Sequence, residues 1–206
     1  MRKLLIIGAG GHGAVIANIA QEMGEFEKIA FLDDGEKTEC LGFPVIAKSN
    51  AVKHYANEYE FFVAIGNCAT RKKVTEDIQS LGGKLATLIH PQAVIAKGVV
   101  IGEGTVVMAG TVIEPRTRVG KGCIVNTSSS LNHDVTLGEF VHVAVGAHVA
   151  GTVRIGDLCW VGIGATVKNN VDICAEAFIG AGAVVVKDIT KKGTYVGVPA
   201  RRIEKK

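Results

Sequence analysis

The chain has little proline, only 4 in 206 residues, and few aromatics, at 5%. Nearly half of it, 48%, is apolar, so it can fill an interior, and disorder is excluded on composition. It has no strong charge of either sign. A net charge of +3 with interspersed acids and bases, and no basic tract of the usual length, argues against a nucleic-acid partner. The pairs Arg201, Arg202 and Lys205, Lys206 form a short cluster, either a solvated tail or an attraction for a phosphorylated ligand. No CxxC occurs among five cysteines, an odd number without zinc-like spacing, which suits a reducing cytosol. Cys123 and Cys159 read as core filler. No apolar run is long enough to cross a bilayer, since glycines at 8, 10, 11 and 13 interrupt the first one, so a soluble cytoplasmic protein is expected with no membrane partner.

What is present is a period. From Ile95 to Val185 an aliphatic residue stands at every sixth position, through Ile101, Val107, Ile113, Val119, Val125, Leu131 and onward. Calling that residue i, position i−2 is always small or β-branched, as at Thr105, Cys123 and Ala147. Position i+1 is often Gly, Ala or Asn, which tolerate a turning backbone. Two inward residues followed by a turn describe a short strand on one face of a prism, and three faces make a coil of 18 residues. Residues 18 apart should stack, so Ile95, Ile113, Leu131, Val149 and Val167 are predicted to form an internal ladder. An amphipathic helix is excluded, because six does not match 3.6.

The first 90 residues read differently. A strand at 3–7 leads into GAGGHG at 8–13, a helix to about Met23, and a strand at 28–32 ending in Asp33 and Asp34. Further strands are expected at 60–65 and 85–89, with a helix at 70–81 between them. This is a βαβ unit carrying GxGxxG with an acidic pair about twenty residues on. Taken literally it suggests NAD. The domain, however, has the size of one mononucleotide half, which favours a nucleotide-sugar site over NAD or a purely structural turn. Glycines let a phosphate approach backbone N–H groups at a helix N-terminus.

With these stretches in view, the chain resembles the bacterial sugar O/N-acetyltransferases. The residues that carry the likeness are GAGGHG, FLDD at 31–34, FVAIGN at 62–67 with RKK at 71–73, the VGVPA tail at 196–200, and above all NTSSSLNHD at 126–134 followed by GEFVHV at 138–143. Within that family the chain is most similar to the UDP-4-amino-sugar N-acetyltransferases of UDP-N,N′-diacetylbacillosamine synthesis. The resemblance implies an α/β Rossmann-like nucleotide-sugar-binding domain at 1–90 and a left-handed parallel β-helix acetyltransferase domain at 91–206. It implies acetyl-CoA as co-substrate, no metal, and a homotrimer with active sites between subunits. The catalytic base falls on His133, which would take a proton from a sugar 4-amino group as it attacks the thioester. The supporting carboxylate, usually Glu, is here Asp134, one methylene shorter, and the sequence leaves its reach open. Acetyl-CoA contacts fall on His142, Ile163 and Ala181. Nucleotide-sugar contacts fall on Gly10, Gly11, His12, Asp33, Asp34, Gly66 and Asn67.

The bare residues agree in part. An imidazole suits general base work near neutrality. His133, His142 and His148 are spaced 9 and 6 apart, so none stack at 18, which disfavours a zinc site of the γ-type carbonic anhydrase kind. His148 reads as surface, His12 as a phosphate contact or a helix-start residue, and His54 and His90 as purely local. Trp160 occupies an outward position, against a subunit or the cofactor. Three functional classes remain open: an N-acetyltransferase on a nucleotide-linked 4-amino sugar, an O-acetyltransferase on sialic acid or a related sugar, and a non-catalytic hexapeptide protein. The first is favoured, because a free sugar needs no nucleotide cradle and a scaffold needs no imidazole at a turn.

Overall fold

The structure, a computed structural model, describes residues 2–204. Met1, and Lys205 and Lys206 of the basic cluster, lie outside the described residues. The chain divides between Pro91 and Gln92 into two compact units.

The first unit is a parallel sheet with helices. Strand β1 (Arg2–Ile7) leads into helix α1 (Gly11–Met23) and strand β2 (Phe26–Leu32). Then come the short β3 (Glu39–Cys40), β4 (Phe43–Ala47) and α2 (Val52–Tyr55), followed by β5 (Glu60–Val63), α3 (Cys68–Ser80), β6 (Lys84–Leu85) and β7 (Leu88–Ile89). The sheet order is β3-β4-β2-β1-β5-β6, all parallel except the β3–β4 pair. β1 buries Leu4, Leu5, Ile6 and Ile7 on both faces, which is why it reads as a continuous apolar run rather than an alternating one. The chain proceeds outward from β1 in both directions. The ends of β1, β2 and β5 therefore converge at the reversal in strand order, where open α/β sheets bind ligands.

The sequence expectations here need small corrections. The strand foreseen at 85–89 is two separate strands, β6 and β7, broken at Ala86 and Thr87; Ala86 N–H donates to Phe61 O and keeps the break against β5. The excursion from β3 through α2 was not foreseen. Its strands are short or half-buried and lack the apolar density of β1.

The second unit is a left-handed parallel β-helix whose strands are two residues long from Val94–Ile95 to Asp172–Ile173. The expected ladder is present, with Ile95, Ile113, Leu131, Val149 and Val167 pairing in succession along one face, and Val185 extends it by one coil. Position i−2 points inward throughout. Thr105, Thr111 and Thr117 are fully buried there, and their hydroxyls donate to the carbonyls of Gly120, Asn126 and Asn132 at 2.7–3.0 Å, so no buried oxygen is left unmet. Cys123 and Cys159 are likewise buried and inward, and none of the five cysteines is in a disulfide. The chain closes in a hairpin of Gly193–Val196 and Arg201–Ile203, which places Arg201 and Arg202 on an exposed antiparallel strand.

One expectation about the turns is overturned. The left-handed residue of each hexad is i+3, not i+1: from Gly98 to Gly182 every i+3 residue has φ between 54° and 84°. Arg116, Phe140, Thr152 and Leu158 adopt this conformation alongside the glycines, at a steric cost that glycine does not carry. The i+1 glycines answer a different need, because stacked corners approach too closely for a side chain. A Cβ on Gly120 would lie 2.4 Å from Gly138 O, and one on Gly162 would lie 2.6 Å from Ile179 O.

Candidate active site

His133 stands at i+2 of its hexad, in the turn between the strands Ser130–Leu131 and Thr136–Leu137. Its backbone is fixed by Thr152 N–H donating to His133 O, and Asp134 N–H donates to Pro115 O one coil below. Asp134 lies at φ 61°, which aims its carboxylate back along the turn. Despite the missing methylene, Asp134 Oδ2 is 2.8 Å from His133 Nδ1. Arg116, stacked 18 residues earlier, grips the same carboxylate with two charge-assisted bonds, Nε to Oδ1 at 2.6 Å and Nη2 to Oδ2 at 2.8 Å.

The electrostatics follow from this clamp. Arg116, and then the bond to His133, hold the Asp134 carboxyl well below the usual carboxylate range. An ionised Asp134 only accepts, so Nδ1 must carry the imidazole hydrogen and Nε2 is left with the lone pair. The ring is 55% exposed, open enough for a substrate amine to reach that nitrogen. Sequence reasoning missed Arg116; the signal was available in its spacing of one coil from Asp134.

His142 faces outward from a different sheet and is 5% exposed. Asn126 Oδ1 accepts the Thr127 N–H, so the Asn126 amino group faces His142 Nε2 at 3.2 Å, and that nitrogen accepts. Trp160 lies above at 4.1 Å between centroids, its ring tilted 53° to the imidazole, and Phe178 stacks on Trp160 at 5.7 Å, so three rings line one face. Ile163 is 56% exposed, and its carbonyl accepts from Gly182 N–H, so Ile163 and Ala181 adjoin in successive coils. They occupy the corner that follows the His142 face, whereas His133 occupies the next corner round. One chain thus brings His142, Ile163 and Ala181 to one region and His133 with Asp134 to another. His148 is exposed, as read from sequence, and its Nδ1 lies 2.9 Å from Ser130 Oγ. Among the described residues no group of three or more His, Cys, Asp or Glu is disposed to hold a metal.

In the first unit, the three strand ends carry the remaining residues. A Cβ at Gly13 would lie 2.0 Å from Gly8 O, so that glycine lets α1 pack against the preceding loop. At Gly10 and Gly11 a Cβ would meet open space; the protein's own packing does not demand glycine there, and the bare α1 N-terminus has no acidic residue in its first turn. Asp33 and Asp34 brace loops. Asp33 accepts from Ala9 N–H at 2.7 Å and Gly35 N–H at 2.8 Å, while Asp34 accepts from Ser49. Asn67 caps α3 by accepting from Thr70 N–H. Arg71, unnoticed as an individual residue in the RKK stretch, is 1% exposed and donates to Ile65 O and Gly66 O, fixing the loop after β5.

His12 Nε2 is buried without a hydrogen-bond partner. Burial, and then the charge of Arg71, push the imidazole down to about 4. The folded state keeps it neutral while the unfolded chain takes up a proton below about 6.5. Stability should therefore fall as pH drops from 6.5 toward 4, by about 3 kcal/mol for this residue. In melts across that range His12→Asn should lose less stability than the parent; parallel pH slopes would refute this account.

Comparison with known proteins decides the class. Residues 3–78 match the family described as the PglD N-terminal domain. The acetyltransferase domain of PglB from Neisseria gonorrhoeae FA1090, solved in complex with acetyl coenzyme A, is 40% identical, with a TM-score of 0.95 over 98% of this chain and 99% of that one. The chain belongs to the acetyl-CoA-dependent sugar-nucleotide acetyltransferases of bacteria. Within that family it is also similar to PerB from Caulobacter crescentus, solved with CoA and GDP-perosamine, at 34% identity and a TM-score of 0.93 over 99% of this chain and 98% of that one. UDP-N-acetylbacillosamine N-acetyltransferase of Bacillus subtilis strain 168 is 36% identical over 109 residues, and this match spans half of each chain. Among the described residues no helix is long and apolar enough to cross a membrane.

Proposed function

We propose that the chain transfers acetyl from acetyl-CoA to the 4-amino group of a UDP-linked 4-amino-4,6-dideoxy sugar, with His133 as general base. The observation that carries this reading is the Arg116–Asp134–His133 relay, which leaves Nε2 unprotonated and open at a turn. The amine nitrogen attacks the thioester carbonyl as Nε2 accepts its proton, the C–S bond breaks, and the imidazolium returns that proton to the sulfur so that CoA leaves as the thiol. No acyl-enzyme is needed. Asp134 holds the tautomer and steadies the imidazolium once it forms.

His142, Ile163 and Ala181 would hold the acetyl end and the pantetheine arm. The bare N-terminus of α1, with Gly10, Gly11 and His12, would meet the diphosphate. Asp33, Asp34, Gly66 and Asn67 shape the surrounding loops. His133 sits on a different corner from Ile163 and Ala181. That separation supports a homotrimer in which one subunit's base serves its neighbour's cofactor surface. A UDP carrier is supported by the B. subtilis likeness, and a GDP carrier is the competing reading from PerB.

The test measures thiol release from acetyl-CoA with UDP-, GDP- and dTDP-linked 4-amino sugars and with sialic acid. The highest kcat/KM is expected with the UDP sugar. Preference for GDP would move the carrier assignment, and activity confined to sialic acid would overturn N-acetylation.

A further inference from the structure

Position i+2 is where His133 sits, and its occupants across the sixteen hexads include Lys97, Glu103, Pro115, Thr127, Val145, Ile163 and Asn169. Among these sixteen residues glycine appears once, at Gly151. Gly151 is the residue one coil above His133, and its φ lies outside the left-handed region that favours glycine. The backbone has no evident objection to a side chain either, since Pro115 and Asn169 carry one at the same corner, one coil below His133 and one coil above Gly151. The space is taken by something else. A Cβ built on Gly151 would lie 2.5 Å from both Cε1 and Nε2 of His133 and 3.1 Å from Cδ2. The imidazole rests over the bare Cα, and Gly151 is itself buried there.

We infer that Gly151 is a positioning residue: its missing side chain is the seat that lets the His133 ring lie against Asp134 with Nε2 turned to the substrate. Any Cβ at 151 meets the free end of the ring rather than backbone. The fold can therefore survive the substitution, but the ring must tip, and tipping breaks the Nδ1 bond to Asp134 that fixes the tautomer. A displacement of about 1 Å in a reacting group can cost on the order of 10²-fold in rate. The effect on turnover rests on the assignment of His133 as base; the contact between ring and glycine does not.

The experiment separates the two. Gly151→Ala, Asn169→Ala, His133→Ala and the double variant Gly151→Ala/His133→Ala are compared for kcat, for KM toward acetyl-CoA, for thermal unfolding, and for the imidazole nitrogen signals in NMR. Gly151→Ala is expected to lower kcat on the order of 10²-fold, with KM within about threefold, and to abolish the Asp134-bonded Nδ1–H signal. Asn169→Ala should do neither. In the His133→Ala background the added methyl should no longer lower the unfolding temperature. If Gly151→Ala alone fails to fold while the double variant folds, the contact stands. An unchanged Nδ1 signal, or equal destabilisation in both backgrounds, overturns the inference. If His133→Ala keeps full activity the base assignment fails, and the stability and NMR results still decide the contact.

Discussion

Alanine in place of His133 is expected to reduce kcat on the order of 10³-fold while leaving KM for acetyl-CoA within a few-fold. The magnitude is that of a lost general base, about 4 kcal/mol of barrier. Because the ring is more than half exposed, held by the Asp134 bond and seated on a residue with no side chain, Gly151, its removal should not disturb the coils. Asp134→Asn is the informative companion. Asn is among the few residues that take φ near 60° readily, so the turn should persist. An amide can present its NH₂ to Nδ1 and stabilise the tautomer that hides the lone pair, so a drop on the order of 10-fold or more is expected. Steady-state kinetics with a thiol reporter checks both. Full activity in His133→Ala would end the proposed mechanism.

A comparably large effect, on stability, is expected at a corner remote from the chemistry. Gly120→Ala places a methyl 2.4 Å from Gly138 O. Neither corner can give way freely, because Gly120 N–H is bonded to Leu137 O and Gly138 N–H to Ile155 O. The cost should be about 3 kcal/mol or more, at the upper end for overpacking. Gly146→Ala is the control. It sits at φ 60° with open space around a Cβ, so only the left-handed strain of about 1–2 kcal/mol applies. Denaturant unfolding of the two variants separates the causes; equal losses would mean that close approach does not explain the i+1 glycines.

The repeat was legible because its period of six has no competing interpretation, and the stacking at 18 then gives the ladder from Ile95 to Val185. The βαβ unit was legible from GAGGHG and the acidic pair. The position of the left-handed residue was not. Arg116, Phe140, Thr152 and Leu158 are poor advertisements for that conformation, yet all four adopt it, and Phe140, Thr152 and Leu158 do so with their N–H groups donating to Lys121 O, His133 O and Glu139 O of the coil below. Single-residue preference loses to the stack. His133 and Asp134 were found through family likeness. Arg116 and Gly151, by contrast, become visible only when the chain is read in steps of eighteen, above and below the histidine. The roles of Asp33, Asp34 and Asn67 in loop bracing were also hidden, since a carboxylate that holds a loop and one that awaits a ligand look alike in sequence.

The coil length also constrains how this protein can change size. Losing one hexad between Asp134 and Gly151 would rotate everything downstream by a third of a revolution. The residue arriving over the imidazole would then be Asp157, a carboxylate in place of a bare Cα. Removing or duplicating a whole coil keeps every downstream column in its compass direction. Length variation in such a chain should therefore arrive modulo eighteen, or as bulges thrown outward where a corner can absorb them.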